Sequence, residues 1–78
     1  MKKQTLTELG LYLAKRSINR AEVSRKTGIS TFRLSQLSIN EKAHLRGEEL
    51  YLIALAIGED PAKMFNHIYR ETKLINEV

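Results

Sequence analysis

With 78 residues the chain has room for one small domain, and the absence of cysteine excludes disulfide stapling and thiolate metal sites together. An apolar share of 42% beside 28% charged residues excludes an intrinsically disordered chain, and the longest apolar run, the eight residues Leu50 to Ile57, falls far short of the ~20 that a membrane-spanning helix needs. The net charge of +4 is unevenly placed: residues 15–46 hold eight basic residues against two acidic ones, a local +6, whereas residues 47–78 hold three against six. A cationic half of a small domain is the electrostatic footprint of a polyanionic partner; a solvated face with no partner is the alternative. Met1-Lys2-Lys3-Gln4 leads into Thr-Leu-Thr-Glu with no apolar secretory stretch behind it, so the chain is expected to stay in the cytoplasm, with no membrane partner.

Apolar positions recur at spacings of three and four, no strand alternation appears, and Pro61 is the one proline. The chain is therefore expected to be all-α, a compact bundle of about five short helices. The first helix is expected over about Thr7 to Arg16, with Leu6, Leu9, Tyr12 and Leu13 as its inner stripe. Thr5 and Glu8 have the spacing of a capping box, which draws the start slightly earlier. Asn19 is a good N-cap for a second helix over about Arg20 to Thr27, and Gly28 can close its last turn in the left-handed conformation. Ser30 then caps a third helix from Thr31 to Leu37 or Ile39. Only Gly28 and Ile29 separate that cap from the second helix, so the two helices meet at a sharp corner.

The polar stretch Asn40-Glu41-Lys42-Ala43-His44 is expected to be a loop, with Asn40 as its candidate left-handed residue. A fourth helix follows over about Gly47 to Ile57, with Glu48 and Glu49 at the end of the dipole that favours anions. Its residues are apolar nearly all round, which places it at the centre of the bundle. Arg46 stands where a small capping residue is more usual. After Gly58, Asp60 as N-cap and Pro61 at the first helical position open a fifth helix that carries Met64, Phe65 and Ile68 inward and runs to about Tyr69. Residues 1–69 are expected to form the domain, and residues 70–78 a tail or helix extension.

The informative stretch is Asn19 to Leu37, N-R-A-E-V-S-R-K-T-G-I-S-T-F-R-L-S-Q-L. Val23, Ile29, Leu34 and Leu37 are suited to the core, and Ser24 is small enough for the third helix to cross closely over it. With those positions turned inward, Thr31, Phe32, Arg33, Ser35 and Gln36 are left to project from the surface. This T-G-I-S corner, together with the later A-L-A-I-G-E-D-P helix ending, resembles the helix-turn-helix of the phage repressor and Cro-like family, often called XRE, over roughly Leu9 to Phe65. The resemblance implies that the third helix enters the DNA major groove. Thr31, Phe32 and Gln36 would then face base edges, with Arg33 and Ser35 at the groove wall or sharing that role. Gln36 suits adenine N6 and N7, while Phe32 suits a thymine methyl or else folds over the bundle. Arg33 suits guanine O6 and N7, or a phosphate. Arg20 stands where the family often has a glutamine holding a phosphate, Asn19 adds its backbone N–H or side chain, and Lys42, His44 and Arg46 would grip neighbouring phosphates. The loop departs from the family pattern in lacking the common glycine soon after the third helix, and it is longer than in compact phage repressors.

The expected function is that of a sequence-specific regulator of transcription that binds double-stranded DNA, a repressor, working as a homodimer on a near-palindromic site. An enzyme is the first rival, but His44 and His67 have no cysteine or spaced carboxylate pair beside them, and there is no glycine-rich phosphate loop or zinc spacing. No catalysis, metal or cofactor is expected. The second rival is a protein-interaction module such as the antitoxin of a toxin–antitoxin pair, binding through Tyr51, Leu52 and Leu55 or through Leu74, Ile75 and Val78. A pure protein binder has no need for a local +6 across residues 15–46.

Overall fold

Helix starts in this chain follow side-chain oxygens. The computed structural model describes residues 5–75 and contains five helices there: α1 (Glu8–Lys15), α2 (Arg20–Thr27), α3 (Thr31–Ile39), α4 (Gly47–Ala56) and α5 (Pro61–Ile68), with no strand among the described residues. Asn19 Oδ1 accepts from the N–H of Ala21 and of Glu22, Ser30 Oγ from Arg33, and Asp60 Oδ1 from Ala62. Each such cap is worth about 1 kcal/mol. The helix ends fall within a residue of those expected from the sequence.

Two caps differ from expectation. The first helix is capped by Thr7, not by Thr5: Thr7 Oγ1 accepts from Gly10 N–H at 3.0 Å, while the same hydroxyl donates to Leu37 O at 2.6 Å and Thr7 N–H donates to Ser38 O at 2.8 Å. Partners on α3, distant in sequence, decide between the two threonines. At α4 the arginine side chain of the N-cap residue has no acceptor to offer, and the Glu49 carboxylate instead reaches back to take the Arg46 N–H at 3.0 Å.

Leu9, Tyr12, Leu13, Val23, Leu34, Leu37, Leu50, Ile53, Ala54, Met64 and Ile68 form the core, with Ile18, Ile29, Ala43 and Leu45 half-buried against it. α1 packs on α3 and α5, α2 on α3 and α4, and α4 on α5. The ends of α5 are tied back to α1 by Arg16–Glu59 (3.3 Å) and Arg70–Glu8 (3.1 Å). The expectation that α4 sits at the centre is corrected: Leu50, Ile53 and Ala54 are buried, but Tyr51 and Leu55 are 54% and 53% exposed. Among the described residues α4 packs only on α2 and α5, and two neighbours do not enclose a helix on every side, so its surplus apolar residues face out. Phe65, expected inward, is likewise half exposed and lies against Tyr69. Met64 and Ile68, four residues apart, already define the inner stripe of α5, and Phe65 stands about 100° round the helix from Met64. α5 does not extend into the tail; Leu74 and Ile75 are exposed, and Val78 and residues 1–4 lie outside the described residues.

Candidate nucleic-acid interface

The corner between α2 and α3 is built from short-range chemistry. Gly28 takes φ 84°, left-handed backbone that favours glycine, and its N–H donates to Ser24 O at 2.8 Å. Thr27 Oγ1 donates to Val23 O and accepts from Ile29 N–H, which closes the bend from within. Val23, Leu34 and Leu37 are buried beneath it, so α3 is held from below and its opposite side is left to solvent.

At 100° per residue, Thr31, Phe32, Ser35 and Gln36 fall within an arc of about 140° on that outer side. Thr31 and Phe32 are exposed, Phe32 at 74%, and Ser35 and Gln36 are half-buried. Phe32 does not fold over the bundle. Arg20, at the start of α2, reaches the same surface, its Nη1 donating to Ser35 Oγ at 3.4 Å. Asn19 is exposed beside it, with its side-chain oxygen engaged in the α2 cap.

The loop after α3 is ordered by a residue that was expected to turn in another way. Asn40 is not left-handed (φ −114°, ψ 109°); its Oδ1 accepts from Lys42 N–H at 2.9 Å and its carbonyl from Ala43 N–H at 3.0 Å. An asparagine side chain that mimics a backbone turn does the work expected of a positive φ. Ala43 and Leu45 then pack against the core, while Lys42, His44 and Arg46 alternate with them as exposed residues. Gln36 Oε1 accepts from Asn40 Nδ2 at 3.1 Å, so the end of α3 and this loop are joined.

Arg33 is placed apart from the other α3 residues. Its Nε and Nη2 donate to the two carboxylate oxygens of Glu49 at 2.8 and 3.0 Å, and Nη2 also donates to His44 O at 2.8 Å. The Glu49 side chain is 13% exposed. The hydrogen bond from Arg33 holds its carboxyl below the usual range against the opposing pull of burial, with help from the Arg46 N–H. Glu49 was read from sequence only as a first-turn acid. Its partner lies 16 residues away, and no local spacing announces the pair.

Thus the structure brings Thr31, Phe32, Ser35, Gln36 and Arg20 to one surface, sets Lys42, His44 and Arg46 along an adjoining loop, and turns Arg33 toward α4. Among the described residues no three His, Asp or Glu side chains gather closely enough to hold a metal ion, and no helix is long and apolar enough to cross a membrane. A family model described as Cro/C1-type HTH DNA-binding domain matches residues 8–68, the span from the first residue of α1 to the last of α5. No curated protein and no solved structure matches the chain.

Proposed function

The chain belongs to the Cro/C1-type helix-turn-helix DNA-binding domains, and from that premise we propose that it is a sequence-specific transcriptional repressor that reads the major groove of double-stranded DNA with α3. The observation that carries this reading is the outer face of α3, where Phe32 stands 74% exposed among Thr31, Ser35 and Gln36, and Arg20 reaches Ser35 on the same surface. Leu34 and Leu37 of the same helix are buried, so the exposed Phe32 ring is left on the side that is open to a thymine methyl. Phosphate contacts from Arg20, Lys42, His44 and Arg46, with Asn19 at the start of α2, supply affinity and register. Thr31, Phe32, Ser35 and Gln36 supply discrimination.

One such module has too few base contacts to single out a site within a genome. It therefore acts as a homodimer, with half-sites about 34 Å apart or a multiple of that. The exposed apolar side chains Tyr51 and Leu55 of α4, or Phe65 of α5 and Tyr69 just beyond it with the tail, are the surfaces available for pairing. The protein works by occupying its site in the cytoplasm, with no catalytic step. A second role, as a protein-binding module of antitoxin type, is favoured by Leu74 and Ile75, which are 77% and 100% exposed.

Selection of bound duplexes from random DNA, run with a sizing measurement, tests the reading. The expected result is an enriched near-palindrome bound by two chains. Enrichment of no sequence would overturn the specific-regulator role, and a single chain on a single half-site would overturn the dimer.

A further inference from the structure

Arg33 carries a guanidinium in the middle of the helix proposed to read DNA, yet one of its two-nitrogen faces is fully engaged and the other is engaged through Nη2. The Nε and Nη2 face meets the Glu49 carboxylate, and the remaining Nη2 hydrogen goes to His44 O. Reading a guanine bidentately requires two neighbouring N–H groups aimed together at O6 and N7. Every such pair on a guanidinium held in this way includes Nη2, so Nη1 alone keeps free hydrogens. Pulling Arg33 outward would also strand the Glu49 carboxylate, 13% exposed, without its counter-charge.

The outer face of α3 then offers two hydroxyls (Thr31, Ser35), one apolar ring (Phe32) and one amide (Gln36), and no cation of its own. An apolar ring matches the thymine C5-methyl, and an amide matches adenine N6 and N7, whereas hydroxyls serve any base. Gln36 Oε1 accepts from Asn40 Nδ2, which orients the amide: its NH2 can donate to adenine N7 while the second lone pair of Oε1 is left for the adenine N6–H. From this we infer that the base pairs α3 reads through paired groups are A·T pairs, recognised through adenine edges and thymine methyls, that no guanine is read bidentately there, and that Arg33 is a strut between α3 and the segment from His44 to Glu49. The inference rests on the recognition-helix reading above and narrows it to a class of sequence.

The test uses the full chain and the duplexes it enriches from random DNA. Each purine of the best duplex is replaced in turn by its 7-deaza analogue, which lacks the N7 acceptor, and affinity is measured by fluorescence anisotropy. The expected result is a loss of about ten-fold for at least one 7-deazaadenine and a change of less than about two-fold for every 7-deazaguanine. A ten-fold loss at a 7-deazaguanine within a half-site overturns the inference. In parallel, Arg33→Met is expected to enrich the same sequence as the unaltered chain, and a changed base at one position would show that Arg33 reads it. If Arg33→Met does not fold, the 7-deaza series decides without it. Failure of the unaltered chain to enrich any duplex would instead remove the recognition-helix reading itself, and this inference with it.

Discussion

The carbonyl oxygen of Ser38 lies where a side chain on Gly10 would begin: a Cβ there would stand 2.2 Å from it. The obstacle is backbone, so it cannot swing aside. Gly10→Ala is therefore expected to push α1 from the end of α3 and to lower stability by about 1–3 kcal/mol, the range for overpacking. The midpoint of urea unfolding reports this. A midpoint equal to that of the unaltered chain would contradict so close an approach.

Ser17 holds φ 53°, the one described residue other than glycine with a positive φ. It closes α1: Ser17 N–H donates to Ala14 O and Ile18 N–H to Leu13 O, the pattern that a glycine usually serves. Ser17→Gly removes the steric cost of left-handed backbone and is expected to stabilise the fold by about 1 kcal/mol. Thermal unfolding would show it as a rise in Tm; a fall would mean that the serine side chain contributes something the geometry does not reveal.

The approach of Gly10 to Ser38 marks the limit of what local sequence shows. Asn19, Gly28, Ser30 and the Asp60-Pro61 pair were legible because cap and turn chemistry acts within four residues. The outward placing of Thr31, Phe32, Ser35 and Gln36 on α3 was legible for a similar reason, since Leu34 and Leu37 fix which side is buried, but Arg33, expected among them, turns toward α4. The approach of Gly10 to Ser38, the choice of Thr7 over Thr5 and the Arg33–Glu49 pair depend on partners far along the chain, and no local pattern encodes them. α4 misled because a helix apolar all round carries no periodic sign of which side faces out. Between Lys42 and Arg46 the alternation of exposed polar residues with Ala43 and Leu45 is present in the sequence, but two apolar residues are too few to mark it.

Glu49 links stability to pH. Its carboxyl is held below the ordinary glutamate value in the folded chain, chiefly by the Arg33 hydrogen bond. In the unfolded chain it returns to the ordinary glutamate value, so on acidification the unfolded state takes up the proton first. The stabilisation is thus complete above the unfolded value and is lost as pH falls through that value toward the lower folded one. Between pH 7 and pH 3, Glu49→Gln is expected to lose less stability than the unaltered chain when urea midpoints are compared. Equal losses would contradict the pairing.

Arg20 and Gln36 are expected to fail in different ways. Arg20→Ala should weaken binding to all duplexes alike and reduce the salt slope by about 1, whereas Gln36→Ala should cost about 1–3 kcal/mol on the preferred site and relax preference at one base pair. Anisotropy titrations on matched and mismatched duplexes separate the two. Loss on every sequence for Gln36→Ala would assign it to the backbone, and a new preferred sequence for Arg20→Ala would refute its phosphate role. If about 6 phosphates are engaged, affinity should fall roughly 10³-fold between 50 and 200 mM salt.

The face that meets DNA can be seen directly. Backbone amide shifts of isotope-labelled protein, followed by NMR as the preferred duplex is added, are expected to move most at Arg20, across Thr31 to Gln36 and from Lys42 to Arg46. Shifts concentrated on Tyr51, Leu55, Phe65 and Tyr69, with α3 unmoved, would contradict the account.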